Sequence, residues 1–459
     1  MAGTFHGINM ASNALRAFQR ALDVTGHNIS NVNTVGYTRQ TIEFKQNDPN
    51  RFWSAGTHSL GNGMSVSSVN RIRDAFLEQR RLQATGDTGK FLEMADSLRN
   101  IEGLFLEPGG SGIADAMDKF FNAWSALASN PNEPGTRMQV QQAGETLAMR
   151  VRTTYQALSD HLSFAETSVT STLQQVQNLS DQIADLNGQI RQKQAEGMRP
   201  NDLQDLRDQA IRDLGQLVDI HTYEQPDGTV NVFMNQLTLV DSAGAIPTPM
   251  TFDTAANTIS DGSGTFDVRS GKLRALFETA EQIKIYQSSL DDLANNLRTQ
   301  VNTVHATGTN PLGATGVGFF NDSVPQSGAI DFALDPAVAA DPRAIASSVS
   351  GAPGDGGLAL ALSRLRDQAQ AALGNRTFSS FFQDMVGDIG RRAEYWTAQV
   401  NTQAAMNEQI EAQIQAVSGV SLDDEMANML RFQRSYQAAA KALTIFDQTT
   451  EDLLNMIRR

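Results

Sequence analysis

Met429-Leu430-Arg431-Phe432-Gln433-Arg434-Ser435-Tyr436-Gln437-Ala438-Ala439-Ala440-Lys441-Ala442-Leu443-Thr444-Ile445-Phe446 carries a repeating apolar step. Met429, Phe432, Tyr436, Ala439, Leu443 and Phe446 are spaced three, four, three, four and three residues apart, and Thr450, Leu453 and Ile457 carry the step to the end of the chain. That alternation is the heptad signature of a helix that packs along one narrow stripe on another helix. The opposite end shows the same step in Ile8, Ala11, Leu15, Phe18, Leu22, Thr25, Ile29 and Val32. A helix lying on a globular core shows a wider apolar face. About 38 helical residues would also span roughly 57 Å, more than a small domain. Matching seams at both ends point to assembly rather than catalysis.

Length and composition agree with this. The chain has 459 residues, 40% of them hydrophobic, enough for several cores. Its net charge of −15 disfavours a nucleic-acid partner, because a phosphate backbone repels an acidic surface. No uncharged apolar run reaches the length of a membrane span, and no cleavable signal peptide is visible. Cysteine is absent, which removes disulfides, thiolate chemistry and thiolate-bound metals.

Between the seams the pattern is mostly helical. Residues 3–33 read as one helix that Gly26 could break, and Asn28, Asn31 and Asn33 before Gly36 and Tyr37 read as the residues that shape a turn. Helical patterns follow at 66–105, 113–128, 134–163 and 169–190, and Asn201 reads as the N-cap of the next helix. The texture turns to β near Val218, where Gln225-Pro226-Asp227-Gly228 between β-rich runs predicts a hairpin. Helix returns at 271–305, residues 308–356 read as loop, and 357–373 and 377–417 are helical. Ser421 caps the last helix, with Asp424 three positions on. The predicted fold class is mainly α, with long coiled-coil terminal helices, an out-and-back course and a small inserted β-rich domain. Residues 1–45 with 420–459 form the terminal domain, 46–217 with 270–419 a helical rod-like domain, and 218–269 a β-rich outer domain. Because a terminal helix buried on one stripe is marginal alone, both ends are expected to order on assembly.

No catalytic, cofactor-binding or metal-binding constellation is found. His6, His27, His58, His161, His221 and His305 include no pair spaced as ligands on one helix face. Gly86-Asp87-Thr88-Gly89-Lys90 lacks the four-residue gap of a phosphate loop and continues with Phe91, so it reads as a loop between helices. Residues 257–267 lack the ligand order of a calcium loop. Trp53, Trp124 and Trp396 read as partly buried core rather than interface anchors.

The stretch Thr25-Gly26-His27-Asn28-Ile29-Ser30-Asn31-Val32-Asn33-Thr34-Val35-Gly36-Tyr37-Thr38-Arg39-Gln40 resembles the N-terminal signature of the bacterial flagellar rod, hook and hook-associated axial proteins. Gly36-Tyr37-Thr38-Arg39-Gln40 is most similar to the hook-associated branch at the hook–filament junction. Residues 182–190, 201–209 and 418–441 resemble its central helix, the entry to its β domain and its C-terminal signature. The resemblance implies a structural protein that self-assembles into a tubular junction zone, after type III export without a cleaved signal. It implies homo-oligomeric contacts through both seams. The implied partners are the hook protein, a second junction protein (hook-associated protein 3) and a flagellar export chaperone holding the C-terminal helix. It implies no cofactor, and no nucleic-acid or membrane partner. The short region after the β segment departs from relatives with a further outer domain. Alternatives are a hook or rod subunit, or a cytoplasmic coiled-coil adaptor.

Overall fold

The computed structural model describes residues 2–48, 50–51, 59–105, 112–235, 237–244, 250–253, 258–260, 265–322 and 328–457. The fold is mainly α with small antiparallel sheets. The chain forms two compact units, one from residues 1–87, 175–248 and 403–459, the other from 88–174 and 249–402.

The first unit opens with α1 (Ala2–Ser30), followed by the antiparallel ribbon of β1 (Gln40–Gln46) and β4 (Met64–Arg71). The short β2 (Asn50–Arg51) and β3 (Ser59–Leu60) pair between them. α1 runs through Gly26 without a break, since one glycine costs a long helix only about 1 kcal/mol. The helical reading of 66–105 fails at its start. Met64-Ser65-Val66-Ser67-Ser68-Val69-Asn70-Arg71 is a strand, its three-residue step from Val66 to Val69 falling at a bulge in the pairing with β1, and helix begins only at α2 (Ala75–Phe105), where Asp74 accepts hydrogen bonds from the backbone of Phe76 and Leu77. Residues 86–90, read as a loop, lie inside α2.

α3 (Ile113–Ser129) and α4 (Pro134–Ala195) follow. α4 is one helix of 62 residues where the pattern suggested two. Residues 201–217 form α5 (Asn201–Leu217), but Asn201 does not cap it; its side chain bonds Gln40 and the Val69 carbonyl instead. The hairpin at Asp227-Gly228 is present. β5 (His221–Glu224) and β6 (Val230–Met234) pair across it, Gly228 takes a φ of +77° that favours glycine, and β7 (Leu237–Val240) adds a third strand. The segment 218–269 holds two separate sheets. β5–β7 fall in the first unit, while β8 (Thr251–Asp253), β9 (Thr258–Ser260) and β10 (Thr265–Phe266) fall in the second.

The second unit packs around α3 and α6 (Gly271–His305). Ile113, Ala116, Met117, Phe120, Phe121, Trp124 and Leu127 line one face of α3 at helical spacing. Phe120, Trp124, Phe319 and Phe320 meet as tilted and edge-on rings between 5.0 and 6.2 Å apart. Residues 308–356 are not all loop; they include α7 (Pro336–Ala340), capped by Asp335. α8 (Gly357–Arg364) precedes α9 (Phe378–Ser418). Trp124 is fully buried and Trp396 packs against this core, while Trp53 and His58 lie outside the described residues. Part of 257–267 also lies outside them. The chain ends in α10 (Leu422–Ile457), where Ser421 Oγ accepts the Asp424 N–H at 3.4 Å.

Candidate functional site

The two seam helices, α1 and α10, pack against each other, and their direction is antiparallel. Gly7 near the start of α1 meets Phe446 late in α10, while Asn28 near the end of α1 meets Glu425 at the start of α10.

On α10 most of the expected seam positions are more buried than their neighbours. Met429, Phe432, Tyr436, Ala439, Leu443, Phe446 and Thr450 are half-buried among outward neighbours that are mostly exposed. Leu453 is exposed, and the side chain of Ile457 lies outside the described residues. On α1 the buried residues differ from the expected ones. They are Gly7, Ala11, Ala17, Ala21, Thr25 and Asn28. Ala11 and Thr25 are shared with the predicted seam, but Ile8, Phe18, Leu22 and Ile29 are each displaced by the residue before them and stand half-buried at the flank. Leu15 is half-buried, as is Ala14 before it, and Val32 is half-buried beyond the helix. The small residues are on α1 and the bulky ones on α10. A Cβ at Gly7 would stand 2.7 Å from the Phe446 ring, so only glycine admits the ring there.

The base of the helix pair is a buried polar network. Asn28, 1% exposed, is saturated. Its Nδ2 donates to the Gln40 carbonyl at 2.9 Å and to Glu425 Oε2 at 3.1 Å, and its Oδ1 accepts the Gln40 N–H at 3.0 Å and the Tyr37 hydroxyl at 2.7 Å. Glu425, 2% exposed, also accepts Arg39 Nε at 2.9 Å, and Arg39 Nη2 lies 2.7 Å from the same carboxylate. The buried carboxylate thus has its counter-charge beside it, as desolvation requires. Thr38 donates its N–H and hydroxyl to Asp205 on α5. Arg71 bridges Asp205 and Asp208 at 2.6 and 2.9 Å, and Gln40 reaches Asp202.

Electrostatics follow from burial. Burial, with the charges of Asp202, Asp205 and Glu425, holds the Tyr37 phenol far above its usual range, so it remains a donor. Burial pushes the Asp205 carboxyl up against the pull of Arg71 and Thr38. For Asp208 burial also pushes upward, but Arg73, Arg71 and Arg207 together hold its carboxyl below the usual range.

The turn residues separate into different tasks. Asn28 forms the clasp. Asn31 donates to the His27 carbonyl and accepts the Thr34 hydroxyl, closing the turn after α1. Asn33 is exposed. Gly36 has a φ of +83° and faces Arg212 and Gln209 on α5. The expected seams contained none of Arg39, Gln40, Arg71, Asp205 or Glu425. Of these Arg39, Gln40, Asp205 and Glu425 lie in the stretches that carry the family resemblance, and Glu425 also continues the α10 heptad four residues before Met429.

A cleft of about 310 Å³ lies beside this network, lined by Arg73, Glu78, Leu82, Asp208, Arg212 and Glu224. Arg73 and Asp208 there are paired with each other at 3.3 Å. Among the described residues no group of three His, Asp or Glu side chains is placed to hold a metal. No described helix is long and apolar enough to cross a membrane.

Residues 98–320 match the family model described as flagellar hook-associated protein FlgK helical domain. Residues 8–38 match that of the flagella basal body rod protein, and 413–456 that of the flagellar basal body rod FlgEFG protein C-terminal. The chain is 29% identical to flagellar hook-associated protein 1 of Bacillus subtilis, covering 99% of each chain. It is 25% identical to the protein of that name in Salmonella typhimurium and 26% identical to that in Escherichia coli, covering 98% of this chain and 99% of each relative. These alignments run over 505, 552 and 551 positions, so the relatives carry residues with no counterpart here. In fold the chain is similar to the flagellar hook junction protein FlgK from Burkholderia pseudomallei, with a TM-score of 0.65 at 16% identity, over 74% of this chain and all of that one. Helical ends that pair, matches to axial-protein models at both termini and the helical domain between them point the same way: the chain is a structural protein of the flagellum, not an enzyme, and is similar over nearly its whole length to flagellar hook-associated protein 1.

Proposed function

We propose that this protein joins the flagellar hook to the filament as a self-assembling junction subunit, with residues 1–45 and 420–459 as its inner tube. The observation that carries this reading is the incomplete burial of the terminal helix pair. Phe5, Leu430, Ile445, Leu454 and Met456 are large, apolar and exposed, and Met456 is 75% exposed. So much apolar surface on one pair needs further helices to cover it, and copies of the same pair supply them in a tube. The reading includes order in the outer parts of both ends gained on assembly.

The chain is exported unfolded through the flagellar type III apparatus, without a cleaved signal, and works outside the cell. Absence of cysteine suits that passage, since no disulfide can trap the chain. An export chaperone covers the α10 seam beforehand. The hook protein contacts the assembled zone on one side and hook-associated protein 3 on the other.

Deletion of the gene in a flagellated host tests the role. Hooks without filaments, with flagellin lost to the medium, are expected; normal filaments would refute it. Leu443→Asp, which sets a charge in the α10 seam, is expected to give the same phenotype while the second unit stays folded. The rod or hook reading is favoured only by the rod-protein models at the two ends, and missing hooks in the deletion would support it.

A further inference from the structure

The repeat that builds the terminal pair also leaves its alignment ambiguous. A heptad seam offers nearly the same apolar stripe after sliding by seven residues. Two contacts break that degeneracy. Phe446 lies against Gly7, and Glu425 accepts from Asn28 and Arg39. Three heptads separate Gly7 from Asn28, and three heptads separate Glu425 from Phe446. The two contacts therefore fall at matched positions of one antiparallel alignment.

We infer that Glu425, clasped by Asn28 and Arg39, is the residue that selects the register of the terminal helices, with the Gly7–Phe446 contact as a second stop. The inference deepens the assembly reading above, because a tube needs every subunit to present its seams at one height. Sliding α10 one heptad one way would set Phe432 opposite Asn28. The buried amide and the Arg39 guanidinium would then lose their carboxylate, and Phe446 would meet Ala14, whose Cβ fills the space that Gly7 leaves. Sliding the other way would set Glu425 against Ala21, which is fully buried in the apolar stripe. Apolar seam positions tolerate either shift, whereas the clasp tolerates neither.

The natural chain has no cysteine, so reporter pairs can be introduced without background. Ala14→Cys with Ala439→Cys reports the observed alignment. Ala21→Cys with Ala439→Cys reports the alignment slid by one heptad. Oxidation of the full-length protein is expected to close the first pair and not the second. Glu425→Ala and Asn28→Ala, each alone, are expected to lower the ratio of first to second closure by about ten-fold or more. Glu425→Gln, which keeps an acceptor for Asn28, should lower it less. An unchanged ratio in both alanine variants overturns the inference, as does equal closure of the two pairs without them. Loss of both closures even in Glu425→Gln also overturns it, since the clasp would then only hold the helices together. With Trp53 replaced by Phe throughout, the fluorescence of Trp124 and Trp396 checks that the second unit is folded in each variant. Filament growth is scored separately: a shifted ratio with normal filaments leaves the register role standing and sinks the junction reading.

Discussion

Thr38 donates its backbone N–H and its hydroxyl to Asp205, at 3.1 and 2.8 Å, across 167 residues of sequence. Arg71 binds the same carboxylate at 2.6 Å. Removing Asp205 leaves a backbone donor and a buried guanidinium short of partners, and such losses cost about 3 kcal/mol or more. Asp205→Ala should lower the exchange-derived opening free energy of the Thr38 amide by about that amount, and Asp205→Asn by less. Equal protection of that amide in wild type and Asp205→Ala would contradict the role given to this carboxylate.

How much of this was legible depended on whether the signal was local. The α10 seam could be read because its large side chains are also its packing side chains. On α1 the reading chose Ile8, Phe18, Leu22 and Ile29 by size, while the buried positions are Gly7, Ala17, Ala21 and Asn28. Small residues carry little hydropathy, yet they let a neighbouring element approach closely. The pairing of Asn28 with Glu425 was illegible for another reason. Asn28 and Glu425 stand 397 residues apart, and nothing in either neighbourhood announces the other. The strand at Met64–Arg71 was missed because Ser and Val fit more than one period until a pairing partner is known.

Gly36 sits at a φ of +83°, where an L side chain is strained by about 1–2 kcal/mol. A Cβ there would also stand 3.0 Å from Arg212 Nη2 and 3.2 Å from Gln209 Oε1. Gly36→Ala should therefore destabilise the first unit by about 1–2 kcal/mol in denaturant unfolding. Gly26, inside α1, offers the contrast, since a methyl added there would meet nothing within 4 Å. Gly26→Ala should be neutral or stabilising by up to about 1 kcal/mol. The reverse order of these two variants would refute the account of the turn.

The Gly7–Phe446 contact predicts a compensating pair. Gly7→Ala overpacks the seam, since the new methyl would fall 2.7 Å from the ring, and such overpacking costs about 1–3 kcal/mol. Phe446→Leu alone removes bulk from the same point. Combined, the two changes should cost less than their sum, with a coupling of about 0.5 kcal/mol or more in a double-mutant cycle. Additive costs in that cycle would mean that the ring does not rest on Gly7.

His305 makes the second unit sensitive to acid. Its ring is 1% exposed; Nδ1–H donates to the Val317 carbonyl at 2.7 Å, and Nε2 accepts the Ala346 N–H at 2.9 Å, so the neutral ring satisfies both partners. Burial pushes its pKa down to about 4. The unfolded chain, near 6.5, then takes up the proton first, so the neutral ring contributes stability in full above about pH 6.5. That contribution is lost as the pH falls from about 6.5 through about 4, and by pH 5 the loss is about 2 kcal/mol. The Trp124 ring lies 6.0 Å from His305, so in a Trp53→Phe background the fluorescence of Trp124 and Trp396 reports unfolding of this unit in urea. Between pH 7.5 and pH 5 the wild-type midpoint should fall accordingly. His305→Gln should start less stable, because its amide cannot match both contacts of the ring, but it should lose that share of the pH dependence. The same decline with pH in both proteins would assign the acid sensitivity to other groups.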